Sequence, residues 1–220
     1  MSIRAADIRT SGLGGDSHIT LDRDEKITLS PRRVTPLSLA AVHHPEMVDE
    51  LKRLGKREWT TYLVQPTDFL FGMRNIDHSS LSENEREIRA ALDHGPRSAF
   101  ALAMELDLLH PALLNTGRLE EFGIIGRIGL TPTDVLHAEG TYSVWNAEAA
   151  QLATGIYAKH LDMGFGTFIE LVRNKVTEKL SAEILFRFIS EEIGDTVKFG
   201  CKACSLLLDK VLGKELIPEL

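Results

Sequence analysis

The sequence predicts an α+β fold, with a small N-terminal β portion followed by a predominantly helical region that contains a winged-helix-like segment. Short apolar runs separated by polar and glycine-rich turns fill the first 36 residues, which is typical of β-strands. Helical apolar periodicity and capping signals dominate the rest of the chain. We therefore expect a β portion over residues 1–36 and a mostly helical domain over residues 37–220.

The first two strands are predicted to form a hairpin. Residues 19–21 and 27–29 are short β segments, and the polar turn over residues 22–26 separates them. Ser30 and Pro31 are predicted to end this hairpin.

The next segments mix helix and strand signals. An apolar stripe from Met47 to Leu54 predicts a helix that begins at Pro45 and ends at Gly55. The β-branched and aromatic residues over 59–64 predict a strand. The turn-rich stretch after it, residues 72–80, predicts a loop.

From residue 82 onward the helix starts are better defined. Ser82 and Glu85 match a capping box, in which each side chain accepts a backbone N–H at the start of a helix. Further helices are predicted over about 98–108 and about 111–121, and an extended segment over 123–130. This order over 82–130 is that of a winged-helix module. The remaining predicted helices begin at Thr131, at Asn146, at about Phe165 (ending near Ile193) and near Asp195.

The composition narrows the classes of function. The chain has 220 residues and a net charge of −7, which disfavours nucleic acid and anionic membranes as partners. No apolar run approaches the roughly 18 residues of a membrane helix, and the N-terminus has no signal core. The two cysteines, Cys201 and Cys204, cannot form a disulfide framework. We expect a cytoplasmic protein that binds neither nucleic acid nor membrane.

The most distinctive stretch is the glycine turn, residues 12–18. Its glycines would let backbone N–H groups approach an anion, and Asp16 beside them could hold Mg²⁺ or orient a water. The same residues also suit a β-turn in which the glycines supply positive φ and Asp16 and Ser17 make local hydrogen bonds. The pattern alone leaves both interpretations open.

The helix start at Thr131 is a second candidate. Asp134 and His137 lie three residues apart on one helix face, where they could share a metal or a substrate. Thr131 as N-cap, Pro132 at the first helical position and Asp134 at the third also form a complete helix start without any ligand.

Paired histidines and paired cysteines give weaker signals. His43 and His44 fall in a predicted loop, where they could add ligands to a site or remain solvated. Cys201 and Cys204 supply half of a zinc site at most, so small apolar residues on a buried helix face fit them better.

The winged-helix-like segment raises the question of DNA binding. Its third helix offers one arginine, Arg118, against Glu120 and Glu121. A helix that enters the major groove is expected to be basic, so a structural use of this helical trio is favoured.

Two motifs taken together resemble the hydantoinase A / oxoprolinase family. Residues 9–18 and 30–36 are similar to that family's T-x-G-x-G-G-D-S and G-P-x-R-x-x-P segments. Residues 129–137, which read Gly-Leu-Thr-Pro-Thr-Asp-Val-Leu-His, are similar to its G-hydrophobic-T-P-T-D-x-x-H segment, and residues 145–150 resemble the stretch after that segment. The resemblance covers residues 6–160, and the remainder only by helical character.

The resemblance implies an ATP-dependent enzyme that opens cyclic amides, or a relative that carboxylates ketones. Its nucleotide-binding domain would have the actin/sugar-kinase type of fold, to which residues 1–36 would belong. The resemblance also implies ATP and a divalent metal as cofactors. The site residues it implies are Asp16, Asp134 and His137 for catalysis, Gly14, Gly15 and Ser17 for the cofactor, and Asp16, His18 and His137 for the metal.

The family's early D-x-G-G-T phosphate loop does not occur in this sequence. We therefore expect a fragment or subunit that is inactive alone and is completed by a second subunit or by the N-terminal half of the same enzyme, in an oligomer that acts on a small cyclic amide. The alternative is a non-catalytic regulatory or protein-binding module that uses the winged-helix-like segment.

The resemblance also makes a spatial prediction. If Asp16, His18, Asp134 and His137 serve one site, the glycine turn must fold against the start of the helix over 131–138. In the competing arrangement the two motifs cap only their own elements and lie far apart.

Overall fold

The computed structural model describes residues 13–58, 63–73 and 81–193, except the side chains of residues 184 and 186–193. Several predicted features lie outside these ranges: residues 59–62 of the predicted strand, residues 74–80 of the predicted loop, the helix from Asp195, and Cys201 and Cys204. Leu63 and Val64, the end of the predicted strand, form a bend instead.

The N-terminal hairpin is confirmed. Strand β1 (Ser17–Leu21) pairs antiparallel with β2 (Ile27–Arg33). The prediction that Ser30 and Pro31 end the hairpin is wrong, because β2 continues to Arg33. The pairing register shifts between Ser17 and Ile19, so Pro31 lies in an irregular stretch where no ladder N–H is needed.

A second sheet of four strands lies at the centre of the molecule. Its strands are β3 (Thr35–Pro36), β4 (Phe69–Gly72), β5 (Arg97–Ser98) and β6 (Ile125–Gly129), in the order β3-β6-β4-β5. Strand β3 runs parallel to β6, whereas β4 runs antiparallel to both of its neighbours. Strand β4 was not predicted, and the predicted loop overlaps its last residue.

Most of the predicted helices are present. Ser82 and Glu85 make the predicted capping box. The helix predicted over 111–121 is divided into a 3₁₀ turn, Pro111–Leu113, and a short α-helix, because the chain extends at Leu114 between them. The helices are α1 (Leu37–His43), which was not predicted, α2 (Glu46–Leu54), α3 (Glu83–Ala91), α4 (Ala99–Glu105), α5 (Gly117–Glu121), α6 (Pro132–Glu139), α7 (Ala147–His160) and α8 (Phe165–Ile193).

The four-stranded sheet lies between two hydrophobic cores. Successive side chains of a strand point to opposite faces, so Phe69 enters one core and Leu70 the other. Ile128 and Ile125 of β6 divide in the same way. The larger core also includes the hairpin and helices α1, α2, α7 and α8, and the smaller core includes α3, α4 and α5. The sheet thereby fixes β6 between both halves of the fold.

Among the described helices, none combines the length and the apolar character that crossing a membrane requires.

Candidate functional site

The glycine turn packs directly on the start of α6. The backbone carbonyl of Gly15 accepts hydrogen bonds from the Thr133 N–H (3.1 Å) and the Thr133 hydroxyl (2.7 Å). A Cβ at Gly15 would lie 2.5 Å from Thr133 Oγ1, so the close approach requires glycine. The two motifs, more than a hundred residues apart in the chain, therefore meet, which is the contact that a shared site would require.

This contact uses the N–H groups at the start of α6. Pro132 has no N–H, the Thr133 N–H binds Gly15, and the Asp134 N–H donates to Thr131 Oγ1 (3.2 Å). Within the turn, Ser17 Oγ accepts from the Gly14 N–H at 2.9 Å. The glycine turn therefore gives α6 a carbonyl where an anion would otherwise bind.

Asp134 is fully buried and links two helices. Its carboxylate accepts from the Thr131 N–H (2.9 Å) and hydroxyl (2.8 Å), which completes the capping box of α6. It also accepts from the Leu37 N–H (3.2 Å), the Ser38 N–H (2.7 Å) and the Ser38 hydroxyl (2.6 Å) at the start of α1. Burial raises the pKa of Asp134, and these bonds oppose the rise. All five donors belong to the protein's own framework.

His137 is also completely buried, and both of its ring nitrogens are in use. Nδ1 lies 2.8 Å from the Thr133 carbonyl, and Nε2 accepts the Trp145 N–H at 3.1 Å. The imidazole is stacked on the Trp145 ring at 5.1 Å and meets the Tyr142 ring edge-on at 4.7 Å. These contacts tie the segment after α6 to the helix.

The remaining predicted ligands have other partners. Asp16 accepts from Arg33 Nη1 at 2.7 and 2.9 Å, and His18 pairs with Asp68. The described residues contain no group of three or more His, Cys, Asp or Glu side chains placed to hold a metal ion. The predicted cluster of Asp16, His18 and His137 is therefore not formed in the described part of the chain.

The histidine pair before α2 also differs from its prediction. His43 ends α1 and is exposed, whereas His44 follows the helix and lies 3.2 Å from a carboxylate oxygen of Glu46.

His18 and Asp68 form a buried pair beside the glycine turn. His18 is the last residue of the glycine turn and lies on β1, and its Nε2 lies 2.8 Å from Asp68 Oδ1. The pair rests on the backbone of Gly129, where a Cβ would lie 2.6 Å from His18 Nε2 and 3.0 Å from Asp68 Oδ1. The absence of a side chain at residue 129 therefore leaves the room on β6 in which the two side chains meet.

A second ion-pair network continues from Asp68. Arg127 of β6 donates from Nη1 to Asp68 Oδ2 (2.6 Å) and from Nη2 to Glu120 Oε1 (2.7 Å). Arg32 also pairs with Glu120, and Thr116 Oγ1 donates to it at 2.7 Å. The buried carboxylates are thus paired with cations, as burial requires.

Burial alone raises the pKa of Asp68. The charges of His18 and Arg127, together with their hydrogen bonds to the carboxylate, outweigh this effect, so the net pKa is lowered. Burial also raises the pKa of Glu120, but its contacts with Arg127, Thr116 and Arg32 outweigh this effect, so the net pKa is lowered. Both carboxyl groups are therefore ionised at neutral pH.

The ionised Asp68 fixes the protonation pattern of His18. A carboxylate can only accept hydrogen bonds, so Nε2 of His18 carries a proton and donates it. When the ring is neutral, Nδ1 of His18 is then the position that carries the lone pair. It has no hydrogen-bond partner among the described residues, and His18 lines a cleft.

This polar cleft, defined by His18, Asp68 and Arg127, has a volume of about 310 Å³, which is at the small end of ligand sites. Its other lining residues are Thr20, Ser30, Arg32, Leu63, Val64, Gln65, Leu70, Ala99, Pro111, Ala112, Leu114 and Thr116.

Sequence patterns pointed to His18 but not to Asp68 or Arg127. Both missed residues are charged and flank or interrupt apolar β segments, at 69–71 and 125–128. A charge within such a segment is a usable signal, because it is buried only when it is paired. Its partner lies elsewhere in the chain, so the signal does not identify the pair.

No family model, curated protein or solved structure matches this chain. The resemblance to the hydantoinase A / oxoprolinase family therefore rests on the two sequence motifs.

Proposed function

We propose that this chain is a fragment or subunit of a hydantoinase/oxoprolinase-type ATP-dependent enzyme, in which the polar cleft binds a small cyclic amide and His18 acts as the acid–base group. The observation that carries the proposal is the His18–Asp68 pair. His18 ends the glycine turn, and this turn contacts the second motif of the resemblance through Gly15 and Thr133.

The chemistry follows from the two ring nitrogens of His18. Nε2 is held by Asp68, while Nδ1 has no hydrogen-bond partner among the described residues, and His18 lines the cleft. Nδ1 can therefore take a proton from a water that attacks an amide carbonyl, and Asp68 stabilises the resulting imidazolium. General base catalysis of this kind contributes roughly 10²–10⁴-fold to a rate.

The charges of the cleft favour a substrate without net charge. Arg127 and Arg32 are balanced by Asp68 and Glu120, so the cleft is neutral when His18 is neutral. Hydantoin is an uncharged cyclic amide small enough for this volume. A strongly anionic substrate would find no uncompensated cation in this network.

The described residues do not fit the ATP-phosphate and metal roles that the resemblance implies. The Gly15 carbonyl occupies the start of α6, Asp16 is paired with Arg33, and His137 uses both nitrogens within the protein. The proposed chemistry therefore takes no step through either cofactor. We place the complete enzyme in the cytoplasm, with a second subunit or a further segment of the same polypeptide supplying the nucleotide-binding half.

Nitrogen-detected NMR of the histidine rings tests this proposal. Adding hydantoin to the purified chain is expected to shift the Nδ1 signal of His18 in a saturable way. Calorimetry is expected to show weaker hydantoin binding in His18→Gln and unchanged binding in His43→Gln, a matched change of an exposed histidine. If millimolar hydantoin does not shift the His18 signal of the wild-type chain, the proposal is refuted.

A second candidate function is a non-catalytic protein-binding module, as the winged-helix-like segment first suggested. Large apolar side chains are exposed along this part of the chain, and Leu109 is 98% exposed. Phe122, which follows α5, is 61% exposed. Exposed apolar surface is a usual feature of contact sites.

Analytical ultracentrifugation separates the two candidates. If the contact module is the function, the wild type should self-associate, and hydantoin should not shift its His18 signal. Leu109→Ser and Phe122→Ser should then weaken this self-association. Self-association that is unaffected by both changes would exclude this surface as the contact.

A further inference from the structure

A second cleft lies between the end of α2, strand β5 and helix α4. Arg53 and Arg57 line it from the α2 side, and Arg97 lines it from β5. Phe100 and Met104 of α4 form an apolar wall. We call it the arginine cleft; its volume is about 430 Å³, within the range of small-molecule sites.

The arginine cleft has an excess of positive charge. Its two carboxylates are already engaged, because Glu105 lies 3.5 Å from Arg97 Nε and Glu50 accepts the Ser98 N–H at 3.1 Å. Arg53 and Arg57 form no ion pair with any carboxylate of the described residues. Three cations thus face two anions, in a chain whose overall charge is −7.

Arg57 contacts two uncharged neighbours in the cleft. Its guanidinium lies over the Phe100 ring, 5.1 Å from the ring centroid, and its Nη2 lies 3.5 Å from Met104 Sδ. These contacts use the face of the guanidinium and one of its N–H groups. The remaining N–H groups keep the fork geometry that binds two oxygens of one anion.

We propose that the arginine cleft binds a small organic phosphate. The phosphate would contact Arg53 and Arg57, and the organic group would pack against Phe100 and Met104. A phosphate monoester carries about −1.5 to −2 charges at neutral pH, which matches two arginines without carboxylate partners better than a singly charged carboxylate does.

This site is independent of the proposed amidohydrolase cleft, because the two clefts share no lining residue. The arrangement also differs from simple complementation of the α2 dipole. Basic side chains in the last turn of a helix stabilise it without a ligand, and Lys52 serves that purpose as well as Arg53 does. Ligand binding therefore has to be measured directly.

Calorimetry with four probes tests the charge and the apolar wall separately. Phenyl phosphate carries both groups, inorganic phosphate only the charge, phenol only the ring, and benzoate a ring with a single charge. Saturable binding of phenyl phosphate, tighter than that of each other probe, is the expected result. No saturable binding of phenyl phosphate, or benzoate binding equally tightly, overturns the proposal.

Variants then locate the binding. Arg53→Gln and Arg57→Gln are expected to weaken phenyl phosphate binding about tenfold each, which is the effect of losing one charge-assisted hydrogen bond. Both residues are exposed, so the fold should be retained. Lys56→Gln removes the same charge from an exposed neighbour that lines the groove between α2 and α7 instead, and it should bind like the wild type.

A gain-of-binding variant completes the design. Glu105→Gln removes a negative charge from the arginine cleft and releases Arg97 from its ion pair. It is expected to tighten phenyl phosphate binding roughly threefold. Equal weakening by Arg57→Gln and Lys56→Gln, or weaker binding in Glu105→Gln, would show that the anion does not bind in this cleft.

Discussion

Ser38 and Asp134 lie 96 positions apart in the chain and are joined by two hydrogen bonds, where α1 and α6 begin side by side. The Asp134 carboxylate accepts the Ser38 N–H at 2.7 Å and the Ser38 hydroxyl at 2.6 Å. A helix start leaves N–H groups without partners inside the helix. One buried carboxylate satisfies such groups in two helices at once.

Asp134→Ala is therefore expected to lower the free energy of unfolding by about 3–5 kcal/mol, because it removes two helix caps and leaves buried donors without acceptors. Asp134→Asn should cost less, since the amide oxygen still accepts. Urea denaturation measures both. Asp49→Ala, at an exposed site in the first turn of α2, is the control and should change stability by less than about 0.5 kcal/mol. A similar loss in both alanine variants would contradict the double-capping role.

Gly129→Ala should separate His18 from Asp68. The added Cβ would lie 2.6 Å from His18 Nε2, and β6 cannot move away because it is paired on both sides. We expect the hydantoin-dependent shift of the His18 ring to be lost. Gly117→Ala is the matched control, because its Cβ would meet nothing within 4 Å. An unchanged His18 signal in Gly129→Ala would show that the pair tolerates the methyl group.

The polar cleft should make the protein sensitive to acid. The pKa values of Asp68 and Glu120 are lowered by folding. Their stabilising contribution is therefore complete above the ordinary carboxyl range, near pH 4, and is lost as the pH falls through the lowered values. Urea denaturation between pH 7 and pH 3 should show a smaller loss of stability in Asp68→Asn than in the wild type. Asp24→Asn, at an exposed turn, should follow the wild-type profile; identical profiles for all three proteins would rule out this origin.

His137→Phe tests whether this histidine holds the segment after α6. The change keeps an aromatic ring but leaves the Trp145 N–H without its acceptor. We expect a loss of about 1–3 kcal/mol of stability. We also expect an added soluble quencher to reach Trp145 more easily and to quench its fluorescence more strongly, measured in a Trp59→Phe background. An exposed site, His43→Phe, serves as the control. A Co²⁺ absorption band that depends on His137 would instead support the metal role implied by the resemblance.

Local sequence signals were sufficient to predict an element wherever its capping residues and its apolar stripe lie within the element itself. The capping box of α3 lies within four consecutive residues and is present as predicted, and Thr131 and Asp134 cap the start of α6 within an equally short segment. The hairpin and the long helix α8 also depend on contiguous patterns. Such features are visible in a sequence because hydrogen bonds at helix starts and turns join residues that are close in the chain.

Only the tertiary structure determined the elements whose stabilising partners lie far away in the chain. Helix α1 follows Pro36, which supplies no capping side chain, and its cap is Asp134 from α6. Strand β4 is only four residues long and exists between β5 and β6. No local pattern marks either element, because the groups that satisfy their backbones lie far away in the chain.

The same division holds for the candidate sites. The sequence by itself identified the two motifs, because a glycine turn and a capped helix start are both local patterns, but it left open whether the motifs contact each other. It did not predict the contact of His18 with Asp68 or of Asp68 with Arg127, since these pairs form only when β1, β6 and the residue before β4 come together in the fold. Buried charges require partners at hydrogen-bonding distance, and only the folded chain determines which residues those partners are.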